Sequence, residues 1–311
     1  MHVVVVGAGA MGSLFGGKLS SVAEVTLLDP WVEHVTAMQR DGLTILELDG
    51  SETNLPIIAT TDPAAVAEAD VVIIFVKSHA TEEASRWASR FLVADGLALT
   101  LQNGVGNAET MARVLGEGRV VAGVTSHGAT LLGPGRVRHA GEGPTHLTTR
   151  PDVAEQVSDV AAIFEQAGLE VHISENLDTL VWGKLIINVG INALTAILRV
   201  PNGQLVEIPA ARRLMAQAVE EAEAVCGAKG IDLPYEDPLA RVEEVARATA
   251  TNRSSMLQDV MRGAPTEIGV INEAIVDEAE RLGVSTPVNR CLATLIRAIE
   301  DSYSVRVGAE A

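Results

Sequence analysis

The chain has 311 residues, 47% of them apolar and 21% charged, so it can bury the cores of two domains without disulfide staples. Its formal net charge of −18, from 23 basic and 41 acidic side chains, argues against a nucleic-acid or anionic-membrane partner, because either needs a basic patch. Cys226 and Cys291 lack Cys-x-x-Cys spacing, so both read as packing residues in a reducing cytosol, not as a disulfide or zinc framework.

The apolar opening MHVVVVGAGAMG is interrupted by glycine and has no basic leader, which sets aside a signal peptide. No apolar run reaches the roughly 18 residues that a membrane span requires. The segment around Lys184 comes nearest, and its polar residues suit a protein interior. A cytoplasmic protein is expected.

From residue 2 to about residue 125, the runs HVVVV, EVTLLD, DVVIIFV, LALTL and RVVAGVT alternate with helix-like intervals. Continuous apolar runs of this length are what parallel strands covered on both faces look like, so the pattern predicts a doubly wound α/β domain. After the first strand comes Gly7-x-Gly9-x-x-Gly12, at the start of a predicted helix. Gly7, Gly9, Ala10, Met11 and Gly12 would form a tight turn whose unpaired amides meet a pyrophosphate; the alternative is a glycine turn that binds nothing.

Asp29 closes the second strand. A carboxylate there accepts hydrogen bonds from an adenosine ribose and repels a 2′-phosphate, which favours NADH; the alternative is that Asp29 caps the next helix, and Lys18 and Arg40 are close enough in sequence to soften the preference. Lys77 and Asn103 follow the third and fourth of these strands at their carboxyl ends, the ligand side of an open α/β sheet. Asn103, in LQNGVGN, could equally be an Asn-Gly turn residue.

Residues 126–148 predict two strands joined by the Gly-Pro-Gly turn at 133–135. A helix over 151–167 and a strand LEVHIS close a first domain, 1–174, and helical periodicity fills the second, 175–311. In WGKLIINVGINALTAI, Lys184, Asn188 and Asn192 recur every four residues and form one polar stripe on an apolar helix. A lone helix lysine usually snorkels, but here the flanks are apolar, which favours a catalytic or binding stripe. Desolvation shifts an ammonium toward its neutral form and makes it a readier proton donor, and Ser255, Asp259 and Glu267 are candidate partners.

With GAGAMG, VKS, QNGVGN, SHGATLLGPGRVRHAGEG, VPNGQL, SSMLQDV, PTEIGVIN and GVSTPVN also in order, the chain resembles the ketopantoate reductases (2-dehydropantoate 2-reductases) over its whole length. That resemblance implies an α/β Rossmann-type dinucleotide-binding domain followed by an all-α C-terminal domain, with the active site in the cleft between, and reduction of a 2-keto acid by NAD(P)H, usually NADPH. It assigns the general acid to Lys184 and its carboxylate partner to Glu267. Substrate orientation falls to Asn188, Asn192 and Asn202, the substrate carboxylate to Ser255, and a place beside nicotinamide and carbonyl to Asn103. A homodimer is a common assembly of such relatives.

Two departures bear on specificity. Asp29-Pro30 stands where relatives commonly carry an arginine suited to NADP, and GAPTEIG replaces GRPTEID, so Ala264 and Gly269 stand for an arginine and an aspartate. The competing readings are a D-2-hydroxyacid dehydrogenase acting on another branched or aromatic 2-keto acid with NADH, and a dinucleotide sensor without turnover.

Overall fold

The computed structural model describes residues 1–305; the tail 306–311 of the expected second domain lies outside the described residues. The chain forms two compact units, one of residues 1–102 and 106–177, the other of residues 103–105 together with those from Asp178 onward.

The first unit is an α/β Rossmann-type domain. Its strands are β1 (His2–Val6), β2 (Glu24–Leu28), β3 (Leu43–Leu46), β4 (Glu52–Leu55), β5 (Ile58–Thr60) and β6 (Ala69–Ile74), then β7 (Leu92–Thr100) and β8 (Val120–Thr125). The hairpin β9 (Gly128–Gly133) and β10 (Arg136–Gly141), with β11 (Thr145–Thr148) and β12 (Val171–Ser174), completes them. Helices α1 (Ala10–Leu19), α2 (Val32–Asp41), α3 (Thr81–Phe91), α4 (Asn107–Leu115) and α5 (Ala154–Gln166) connect the strands.

Eight strands form one sheet in the order β12-β11-β8-β7-β6-β1-β2-β5, parallel except where β11 meets β8. Valines 3 to 6 of β1 are buried, as expected of a central strand with both faces covered. β1 pairs in parallel with β2 on one side and β6 on the other, so the chain order reverses beside it. At such a reversal a crevice opens at the carboxyl ends of the strands, where the glycine loop lies.

Four strands escape the sequence pattern, β3, β4, β5 and β11. They are short, and β4 (Glu-Thr-Asn-Leu) is mostly exposed, so it has no apolar alternation to detect. β3 and β4 join the predicted hairpin in a second sheet of order β4-β3-β10-β9. Leu14, Phe15 and Leu19 of α1 share one core with Val137 of β10 and Ile45 of β3.

The second unit is all-α: α6 (Leu177–Leu198), α7 (Gln204–Glu207), α8 (Pro209–Lys229), α9 (Pro238–Ala248), α10 (Ser255–Arg262), α11 (Asn272–Leu282) and α12 (Pro287–Asp301). By length and composition α6 could cross a membrane, contrary to the expectation that no run is long enough, but 67% of its apolar window is buried within the protein. Leu185, Ile186, Val189 and Leu194 pack with Met215, Val219 and Val225 of α8. Cys226 is a buried packing residue; Cys291 is exposed, correcting the sequence expectation, because α12 turns Asn289, Leu292, Ala293 and Ile296 inward and leaves position 291 outside.

Candidate active site

The glycine loop has the shape that the spacing predicts. Gly7 has φ +96°, and a Cβ there would lie 2.6 Å from the Val76 nitrogen; a Cβ on Gly12 would lie 1.9 Å from the Gly7 carbonyl oxygen. Both positions therefore exclude any side chain. Gly9 is the opposite case: it is exposed, and nothing lies within 4 Å of its Cβ position. It caps α1 without a side-chain hydrogen bond and the first turn holds no acid, so the amides over Ala10, Met11 and Gly12 face an open, electropositive helix end. These residues fit a dinucleotide pyrophosphate.

Asp29 follows β2 and is half-buried, and its Oδ1 accepts the Trp31 N–H at 2.9 Å; Trp31 itself is the N-cap of α2, which has no side-chain cap, so Asp29 braces the turn before the helix and does not cap it. Neither nearby cation attends to it: Arg40 pairs with Asp41 at 2.5 Å, and Lys18 with Glu47 at 3.5 Å. Lys77 is half-buried, just beyond β6, ahead of a short 3-10 turn at Ser78–Ala80.

In the second unit, Lys184, Asn188 and Asn192 lie on successive turns of α6, Lys184 and Asn188 half-buried and Asn192 buried. Desolvation pushes the Lys184 ammonium down to about 8, and the Glu267 carboxylate opposes that shift. Asn188 Nδ2 is buried without a hydrogen-bond partner, an unspent donor one turn from the lysine. Glu267 is buried, and its Oε2 accepts a hydrogen bond from Asn103 Nδ2 at 3.3 Å.

That contact relocates Asn103. Although it follows a strand of the first unit in sequence, residues 103–105 pack with the second. Gly104 has φ +82°, a Cβ on it would lie 2.3 Å from the Val270 carbonyl oxygen, and the Val105 N–H donates to that same carbonyl. The tripeptide is thus clamped beside the Glu267 turn. On the other side of that turn the Thr266 N–H donates to Glu300 Oε1 at 2.6 Å, and Arg297 braces Glu300 and Glu273. Sequence reasoning misses this bracing, since Glu300 and Arg297 sit on an amphipathic helix like any solvated pair.

Ser255, half-buried, opens α10. The preceding Ser254 accepts the Leu257 N–H and pairs with Thr195 of α6 at 2.7 Å. Thr195 donates to the carbonyls of Ile191 and Asn192, so Ser254 is the donor between the two hydroxyls. Ser255 is thereby anchored next to a strut onto α6, one turn beyond Asn192. Asn202 is buried in the loop after α6, where its Nδ2 donates to Thr249 Oγ1 at 2.9 Å and its Oδ1 lacks a partner. The amide orientation follows from Thr249, which spends its own proton on the Val245 carbonyl.

Two family models cover the chain: "Ketopantoate reductase PanE/ApbA" over residues 3–152 and "Ketopantoate reductase PanE/ApbA C terminal" over residues 176–300. A 2-dehydropantoate 2-reductase from Halobacterium salinarum is 41% identical over 96% of this chain and 98% of its own length. One from Archaeoglobus fulgidus is 34% identical over the same shares. Among solved structures, a PanE/ApbA family ketopantoate reductase from Ralstonia eutropha superposes with TM-score 0.90 at 36% identity, over 98% of this chain and 100% of that one. A D-mandelate dehydrogenase solved with NADH and anilino(oxo)acetate superposes with TM-score 0.92 at 29% identity, over 98% and 100%.

Proposed function

Because the chain belongs to the ketopantoate reductase family, we propose that its helical unit presents a 2-keto acid to Lys184, which protonates the carbonyl oxygen as the neighbouring carbon is reduced. The protein is an oxidoreductase of the 2-dehydropantoate 2-reductase kind and depends on a nicotinamide dinucleotide. When bound, the reduced nicotinamide supplies the hydride. Gly7, Gly9, Ala10, Met11 and Gly12 would hold its pyrophosphate and Asp29 its adenosine ribose, with Lys77 and Asn103 completing the cofactor contacts.

One observation carries the catalytic reading: an ammonium desolvated to about 8 beside a buried carboxylate. At neutral pH such a group is still mostly protonated, yet it surrenders its proton far more readily than a free lysine, which is what a general acid needs. Glu267 keeps it charged, and Asn103 holds Glu267 in place. The unspent Asn188 Nδ2 suits a substrate oxygen, and the Ser255 hydroxyl suits the carboxylate, with Asn192 extending the stripe. Asn202 spends one Nδ2 hydrogen on Thr249 and keeps a second N–H and its Oδ1, so its amide offers a substrate both a donor and an acceptor.

The substrate reading is ketopantoate. The likeness to a D-mandelate dehydrogenase keeps a second, aromatic 2-keto acid in view, and Asp29 with no attending cation favours NADH over NADPH. The free thiols of Cys226 and Cys291 accord with a reducing, cytoplasmic setting. Steady-state oxidation of NADH and NADPH with ketopantoate, ketoisovalerate and benzoylformate tests these statements together. Ketopantoate should give the highest kcat/KM, with NADH preferred; no turnover of any 2-keto acid would refute the enzyme reading.

A further inference from the structure

A buried chain of hydrogen bonds runs from the β9–β10 turn to the glycine loop, and every proton in it has one permitted direction. The Gly135 N–H donates to His34 Nδ1 at 2.9 Å. A backbone N–H can only donate, so Nδ1 is unprotonated and the ring proton of the neutral imidazole sits on Nε2. His34 Nε2 therefore donates to Ser13 Oγ at 3.1 Å, and Ser13 Oγ donates to the Ala8 carbonyl at 2.7 Å. His34 and Ser13 are both fully buried, and Trp31 stacks on the imidazole with ring centroids 5.0 Å apart and planes 11° from parallel.

Ala8 lies between Gly7 and Gly9. In a trans peptide the C=O and the following N–H point in opposite directions. Drawing the Ala8 carbonyl inward to Ser13 therefore aims the Gly9 N–H outward, to the side where Gly9 is exposed and has nothing within 4 Å of its Cβ position. That amide is a donor presented to an incoming anion.

We propose that His34, acting through Ser13, is a positioning residue for the dinucleotide: it locks the Ala8–Gly9 peptide with its N–H toward the pyrophosphate and so sets dinucleotide affinity without touching the ligand. The proposal rests on reading Gly7–Gly12 as the dinucleotide site. It carries a pH signature, because protonating His34 would set a ring N–H against the Gly135 N–H and break the chain at its first link. Burial lowers the pKa of His34 from its usual 6.5, and the charge that acts on the ring is Asp29, at the end of β2, which opposes the shift. The neutral, connected form thus prevails at neutral pH, and acid would uncouple it.

The test is dinucleotide Kd, from NADH and NADPH fluorescence titrations, for the full-length protein and for Ser13→Ala, His34→Phe and His34→Gln, each alongside its Tm and its KM for the 2-keto acid. Ser13→Ala, which removes one oxygen, should raise Kd about 5- to 10-fold, the scale of one lost hydrogen bond, and leave the keto-acid KM unchanged. His34→Gln, which can both accept and donate, should restore most of the affinity that His34→Phe loses. For the unmodified protein Kd should rise as pH falls through the His34 pKa, which burial sets below the usual 6.5, whereas His34→Gln should be flat over that range. Unchanged Kd in a folded Ser13→Ala, or a loss of Tm alone, overturns the proposal. If the unmodified protein binds neither dinucleotide, it is the reading of the glycine loop that fails.

Discussion

Replacing Glu267 by glutamine isolates the electrostatic coupling on which the acid depends. Two opposing effects act on Lys184: desolvation lowers its pKa, and the Glu267 carboxylate raises it, with a balance at about 8. Removing the carboxylate leaves desolvation unopposed. A carboxylate acting on a buried ammonium is worth about one pKa unit, so the basic limb of the reduction should move from about 8 to about 7. The sign follows from the acid role: reduction needs the protonated amine, so activity is lost as pH rises through the Lys184 pKa. At pH 8 the protonated fraction would fall from about a half to about a tenth, a loss of about 5-fold; at pH 6 both proteins would be almost fully protonated and this loss would vanish. The assay is kcat/KM for ketopantoate from about pH 5.5 to 9.5 with saturating dinucleotide. Any effect of Glu267 on substrate contacts lowers the whole curve and leaves its shape alone, so the two are separable. A basic limb that stays at about 8, or moves upward, would refute the coupling.

Lys184→Ala should retain dinucleotide affinity while kcat falls by at least about 10²-fold, measured by equilibrium titration and turnover on one preparation; near-normal turnover removes the lysine from the chemistry. Asp29→Arg should raise the ratio of kcat/KM for NADPH to that for NADH, and an unchanged ratio would show that the acid does not meet the ribose. Gly104→Ala should lower Tm and kcat together, because its Cβ would meet the Val270 carbonyl at 2.3 Å in a left-handed backbone, forcing Asn103 away from Glu267. His127 is buried, with its Nε2 unpartnered, and burial and then neighbouring His139 push its pKa down to about 4. The unfolded chain takes up that proton first, so the stability His127 contributes is present above about pH 6.5 and is lost as pH falls toward 4. Denaturant unfolding should show about 2 kcal/mol lost between pH 7.5 and 5 that His127→Gln does not lose.

Features written in contiguous sequence were legible before the fold was known. The valine run of β1, the glycine spacing that follows it and the four-residue recurrence of Lys184, Asn188 and Asn192 each express a local rule, and the structure gives each the expected form. What sequence could not disclose depends on long-range pairing. β3 meets β10 more than 90 residues away, Thr44 opposite Arg136, and neither strand's composition names its partner. The Ser13–His34–Gly135 chain joins a helix, the next helix and a hairpin turn, so no periodicity links its members. Asn103 was visible as a candidate, but its attachment to Glu267 spans 164 positions and rests on a glycine that allows close backbone approach.

The three-residue insertion at 103–105 has a practical corollary for anyone dissecting or recombining this polypeptide. A fragment starting at Asp178 carries the amine and its carboxylate but forfeits Asn103, the side chain that steadies the latter, and uncovers the Val270 carbonyl that Val105 satisfies. Chimeras spliced near position 177 would therefore inherit a mismatched clasp unless residues 103–105 travelled with the helical half, so the structural module that holds Lys184 and Glu267 is discontinuous along the chain.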